Sequence, residues 1–134
     1  IYPVCSPSIA KAHQLTELSQ LTQVPLIDLD DHQWRWVKWK DWLIDQHSPL
    51  KGIRTSIEFN NIPMLYSAAE AGQGIALGWS EFLQDSLASQ RLVAPFKERL
   101  QIPKPWGYYI LTAPTDRKSL HIDQVKKWIL KEAL

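Results

Sequence analysis

Cysteine is almost missing from this chain. Cys5 stands alone among 134 residues, so no internal disulfide can form, which suits a reducing cytoplasm. Charge of either sign is not in excess: 15 Lys and Arg face 14 Asp and Glu, for a net +1. That leaves no electrostatic case for nucleic acid binding by this stretch. No apolar run approaches the roughly 18 residues a membrane helix needs. The first residues lack the basic-then-apolar pattern of a signal peptide. There is no initiator Met, and the opening IYPVCSP reads as a strand already in progress, which predicts a piece of a longer protein. The four His residues, His13, His32, His47 and His121, have no metal-ligand spacing, and neither HExxH nor CxxC occurs. The GxSxG elbow of a serine hydrolase is absent too, and Cys5 sits in an apolar strand. No catalytic residue, metal site or cofactor is expected.

What the chain does have is tryptophan, seven in all, and a regular alternation of strands and helices. Tyr2 to Cys5 reads as a short strand closed by Ser6-Pro7, since a residue before Pro is pushed to extended geometry. Ser8 is expected to cap a short turn, Ile9 to His13, with another short helix or turn around Thr16 to Leu21. VPLIDLD, residues 24–30, is an apolar run bounded by Pro and acids and predicts a buried strand. Asp30 or Asp31 would then cap a helix from about Gln33 to Gln46, ended by His47-Ser48-Pro49 and Gly52. The acids Asp28, Asp30 and Asp31 read as complements to that helix dipole. IRTSIEF, residues 53–59, alternates as a half-buried strand with Ile53, Thr55, Ile57 and Phe59 inward. Asn60-Asn61 caps the next helix, with Pro63 in its first turn and Met64, Leu65, Ala68 and Ala69 on its core side. Further strands are expected at 75–79, 91–96 and 108–113, and helices at 81–88, capped by Ser80, and from His121 to Ala133. This order predicts an α/β, doubly wound layout on a mainly parallel sheet.

Three stretches raise functional questions. GQGIALG follows a helix and precedes a strand, the reverse of a phosphate loop. Gly72 therefore reads as the C′ residue that ends a helix, and Gly74 as a point of close backbone approach. In WRWVKWKDW, Trp36, Trp39, Trp42 and Leu43 share a broad arc of a helix, with Lys38, Asp41 and Asp45 opposite. Core packing on a sheet is the preferred reading, and an aromatic wall beside a ligand cleft the lesser one. EFNNIP, residues 58–63, is a strand-to-helix junction. Ligands gather at that edge of open α/β sheets, and exposed helix N–H groups there suit an anion. Glu58, Phe59, Asn60 and Asn61 are the candidate ligand-binding residues, although capping alone would also explain the asparagines.

YPVCSPSI, PLIDLDD with Trp39, Trp42 and Leu43, AAEAGQGIALGW, RLVAPF and YYILTAP occur here in that order. Together they resemble the effector-binding domain of LysR-type transcriptional regulators, over Tyr2 to about Trp128. The branch they are most similar to is that of the glycine-cleavage activator and the β-lactamase regulator. The resemblance implies a periplasmic-binding-protein-like (type 2) fold of two subdomains with an effector cleft between them. It makes residues 1–5 a crossing strand, 6–96 the second subdomain, and 97–134 a second crossing with the last strand and helix of the first subdomain. The rest of that subdomain and the DNA-binding domain would lie outside this chain. The implied function is effector sensing and oligomerisation in a cytoplasmic regulator, with an unknown small-molecule partner. DNA would be reached only through the absent domain, and no membrane is involved. Apolar faces left open at Tyr109, Leu111, Val125, Trp128 and Ile129 predict self-association. A solute-binding protein of a transporter, which shares the fold, is the alternative; an enzyme of that fold would need a catalytic group that the sequence does not offer.

Overall fold

The apolar run at residues 24–30 does form a buried strand, flanked on both sides. A computed structural model of the protein describes residues 1–30, 36–50, 53–102, 109–112 and 120–132. Its strands are β1 (Tyr2–Val4), β2 (Leu26–Leu29), β3 (Thr55–Phe59) and β4 (Ala76–Gly78). Its helices are α1 (Pro7–Ala12), α2 (Trp39–Asp45), α3 (Ile62–Glu70), α4 (Ser80–Ala88) and α5 (Leu120–Glu132), with a 3-10 helix at Leu18–Gln23. The chain divides into two compact units, Ile1–Gln101 and Ile102–Leu134.

In the first unit β2 runs parallel to β3, with Asp28 beside Glu58 and Leu29 beside Phe59. A parallel bridge, Leu26 to Ile75, joins β2 to the start of β4, and β1 lies antiparallel to β4 with Val4 opposite Ala76. Cys5 is bridged antiparallel to Val93. The order is thus β3, β2, β4, β1; β2, β3 and β4 run in one direction as expected, and β1 alone runs against them, while the segment at Val93, antiparallel to Cys5, shares their direction. Parallel neighbours need crossovers, and α2 and α3 provide them.

Side chains of β2 alternate between faces. Ile27 and Leu29 join Val4, Leu65, Tyr66, Ala68, Ala69, Ala76, Leu83 and Leu92 in one core cluster, supplied largely by α3 and α4. Asp28 points to the other face, where α2 lies and the backbone N–H of Trp39 approaches Asp28 Oδ2 at 3.5 Å. Both core tryptophans of α2 are fully buried. Trp39 Nε1 donates to Ile27 O at 3.0 Å and Trp42 Nε1 to Ile1 O at 3.2 Å, so neither indole N–H is left unsatisfied. The rings meet edge to face at 5.9 Å. Core packing of Trp39, Trp42 and Leu43 is as expected.

The reversal after α3 also follows expectation. Gly72 has φ +75°, in the left-handed region, and Gln73 N donates back to Ala68 O at 3.0 Å, as a helix C-terminus requires. A Cβ on Gly74 would stand 2.6 Å from Pro25 O; only glycine lets β4 begin this close to β2.

Several local expectations give way. Ser6, not Ser8, caps α1, its Oγ accepting from Ile9 N at 3.4 Å; Pro7 takes the first helical position, which moves the cap back. Helix α2 starts at Trp39, with Lys38 at the cap position and Asp41 Oδ2 accepting from Lys38 N at 3.3 Å. A start near Gln33 and a cap at Asp31 lie outside the described residues, and Trp36 to Lys38 are not helical. Gly52 is also outside them; His47, with φ +51°, takes the left-handed position at the end of α2 itself. Strand β3 pairs with β2 alone among the described residues, so its alternation does not translate into burial, and Ile57 is 43% exposed. Met64 is exposed, while Tyr66 takes a buried place beside Leu65. Trp79 rather than Ser80 occupies the cap position of α4. The strand expected at 91–96 reduces to the bridge at Val93. Residues 109–112 form no strand, while Tyr108 and Ala113 lie outside the described residues. In the second unit, α5 carries exposed Val125, Trp128 and Leu130.

Candidate functional site

The C-terminal ends of β2, β3 and β4 lie along one edge of the sheet, and the chain leaving each strand builds a part of the site. Asp30 N donates to Phe59 O at 2.7 Å, which carries the β2–β3 ladder one step beyond the strands. Because Asp28 and Glu58 are register partners, their side chains stand next to each other on the α2 face. Lys38 reaches between them. Its Nζ is 3.0 Å from Glu58 Oε1 and 3.6 Å from Asp28 Oδ2, and it also donates to the backbone carbonyl of Leu29.

Asp28 is buried in an otherwise apolar strand. Burial pushes its carboxyl pKa up; the Lys38 ammonium and the N–H groups of Leu29 and Trp39 pull it back without cancelling the shift. Asp28 Oδ2 accepts from Trp39 N at the start of α2, in keeping with the reading of Asp28 as a helix-dipole complement; it is also an interior acid with a lysine partner. Lys38, assigned from its helical position to the solvent side, is the residue that sequence reasoning missed. The signal was available, since a carboxylate inside an apolar strand requires a partner.

The four expected ligand-binding residues separate into different roles. Glu58 is exposed and Phe59 half-buried, on opposite faces of β3. Phe59 packs against the core cluster. Asn61 caps α3, its Oδ1 accepting from Met64 N at 2.9 Å, while its Nδ2 donates to Asn60 Oδ1 at 2.9 Å. Asn61 is thus committed to the helix start, and Asn60 is exposed.

Aromatic surface arrives from elsewhere. Trp36, before α2, meets Trp79, after β4, edge to face with centroids 5.8 Å apart. Trp79 N donates to Tyr66 Oη at 2.9 Å, which fixes the turn out of β4 against α3. Trp36, from the tryptophan cluster, and Trp79 are both half-buried. Among the described residues no group of three His, Cys, Asp or Glu side chains could hold a metal. None of the described helices is long and apolar enough to cross a membrane. What this edge can do is bind: it offers a carboxylate oxygen, an amide nitrogen and indole faces.

Known proteins are similar to this chain in sequence and in fold. Residues 1–134 match the LysR substrate binding domain family. The transcriptional activator AmpR of Enterobacter cloacae is 28% identical over 107 residues, covering 78% of this chain and 34% of that protein. The transcriptional regulator DsdC of Escherichia coli K12 is 33% identical over 120 residues, covering 85% and 37% respectively. The chain therefore spans about a third of the length of these regulators. The effector domain of AmpR from Pseudomonas aeruginosa superposes with a TM-score of 0.67 at 22% identity, over 98% of this chain and 60% of that one. The AmpR effector-binding domain of Citrobacter freundii gives 0.68 at 18%, over 98% and 62%. These solved structures establish the periplasmic-binding-protein-like type 2 α/β fold, and the curated relatives are regulators of transcription. On its sequence match over every residue, the chain belongs to the LysR substrate-binding domain family.

Proposed function

We propose that this chain is the effector-sensing part of a LysR-type transcriptional regulator, and that a small molecule held at the C-terminal edge of β2, β3 and β4 sets its state. The observation that carries the reading is that Glu58 and Asn60 stand at the end of β3 and Trp79 directly after β4, at the edge where open α/β sheets take their ligands. Phe59 and Asn61 serve the site from behind, through the core and the helix cap. Residues 1–5 act as a first crossing strand, 6–96 as a second subdomain, and 97–134 as the return to a first subdomain that lies elsewhere. The antiparallel pairing of Cys5 with Val93, and the Leu100 N–H on Ile1 O at 2.8 Å, support two crossings side by side. Effector binding favours one arrangement of the subdomains, and a coupling of about 1–3 kcal/mol suffices to pass that preference to a distant DNA-binding domain.

The regulator works in the cytoplasm, contacts DNA only through a domain outside this chain, and self-associates. Exposure of Val125 and Trp128, at i and i+3 on α5, supports association, because exposed apolar surface seeks cover. The branch is that of the glycine-cleavage activator and the β-lactamase regulator. The test is the reading frame upstream of Ile1. A helix-turn-helix followed by a linker helix is the expected result. A signal peptide in its place would overturn the proposal in favour of solute capture.

A further inference from the structure

The edge carries a charge pattern opposite to the one a helix N-terminus alone would favour. Lys38 is a cation paired with Glu58, yet its ammonium has three donors and three acceptors around it: the Leu29 carbonyl, Glu58 Oε1 and Asp28 Oδ2. It stands between two carboxylates and has no donor left for an incoming anion. Glu58 is arranged the other way. Only Oε1 meets Lys38, its side chain is 50% exposed, and Oε2 makes no hydrogen bond among the described residues.

The capping geometry removes the second reason to expect an anion. Asn61 Oδ1 already takes Met64 N at the first turn of α3, so one of the N–H groups that would hold a carboxylate is occupied. What remains open is an acceptor oxygen bearing negative charge, two residues along β3 from the Asn60 amide. The Trp36–Trp79 pair lies along the same edge, and indole faces attract cations through their quadrupole.

We infer that Glu58 reads a cationic group, an ammonium or amidinium, on the effector, with Lys38 as the positioning residue that holds the carboxylate at the edge. This rests on the ligand-site reading above and adds the charge class of the ligand to it. The ligand's cation would share Glu58 with Lys38, donating a charge-assisted hydrogen bond to Oε2, while its apolar part lies towards the indoles.

The experiment uses two probes similar in ring and chain length and opposite in charge, phenethylamine and 3-phenylpropionate. Each is titrated into the full chain while the backbone amides of residues 58–61 and the indole N–H of Trp79 are followed by NMR. The amine is expected to bind about tenfold or more tightly than the acid, and Glu58→Gln to erase that preference. Tighter binding of the acid at the same resonances overturns the cationic reading and leaves the ligand site standing. An amine preference that survives in Glu58→Gln overturns the role of Glu58. If neither probe moves these resonances, the ligand-site reading fails together with the inference.

Discussion

Gly74 and Pro25 meet through their backbones. Ile75 N donates to Pro25 O at 2.9 Å, and a methyl group on Gly74 would stand 2.6 Å from that same oxygen and 2.9 Å from Ile27 Cγ2. Strand β4 therefore enters the sheet only if residue 74 has no side chain. Gly74→Ala should cost about 3 kcal/mol, combining an overpacked core with a disturbed ladder hydrogen bond. Urea unfolding of the two proteins checks it; a loss under about 1 kcal/mol would mean the strands separate without strain.

The tryptophans of α2 make a second prediction. Trp39 is buried and its Nε1 serves Ile27 O. Trp39→Phe keeps an aromatic ring and removes that donor, so stability should fall by about 1–3 kcal/mol. Trp36→Phe, at the half-buried edge, should cost less than Trp39→Phe. Unfolding curves for the pair decide the order, and an inverted ranking would place the core on the wrong tryptophan.

Two acids should give opposite pH slopes. Burial raises the pKa of Asp28 above its ordinary 3.8, so the folded protein holds that proton longer than the unfolded chain. Stability from this group falls as pH rises from 3.8 through the raised value. Glu70 is the reverse case. The Ser86 hydroxyl, 2.6 Å from its Oε1, and Arg91 hold its pKa below the ordinary 4.5, so its contribution is lost as pH falls from 4.5 through the lowered value. Asp28→Asn should remove the first slope and Glu70→Gln the second, as read from unfolding free energies measured from acid to neutral pH.

Cys5 should be inert in the folded chain. Burial pushes its thiol up to about 11, and its side chain is fully enclosed. At pH 8 only about one thiol in a thousand would be ionised, and thiolate is the reactive form. A disulfide reagent should label Cys5 slowly in native buffer and rapidly in urea. Equal rates would show that the strand at Cys5 opens freely.

Features encoded within a few residues are legible in the sequence. The αL turn at Gly72, the cap at Asn61 with Pro63 behind it, and the apolar run of β2 depend on backbone angle, one side-chain bond and composition, all local quantities. The buried face of α2 is equally legible, because Trp39, Trp42 and Leu43 fall together at helical spacing. The edge itself is half legible: the spacing of strand and helix signals locates the junction at residues 58–61, but not the division of labour within it.

Sequence alone determined which segments enter the core and where the chain must turn, since hydrophobic spacing and glycine geometry act over a handful of residues. Tertiary structure decided the rest. The register that sets Asp28 beside Glu58 turns Lys38 from a surface residue into a bridge. The edge position of β3 leaves Ile57 in solvent, and the meeting of β2 and β4 brings Trp36 to Trp79. These outcomes join residues far apart in the chain, and the energy of a charge or a ring depends on neighbours that only the folded sheet supplies.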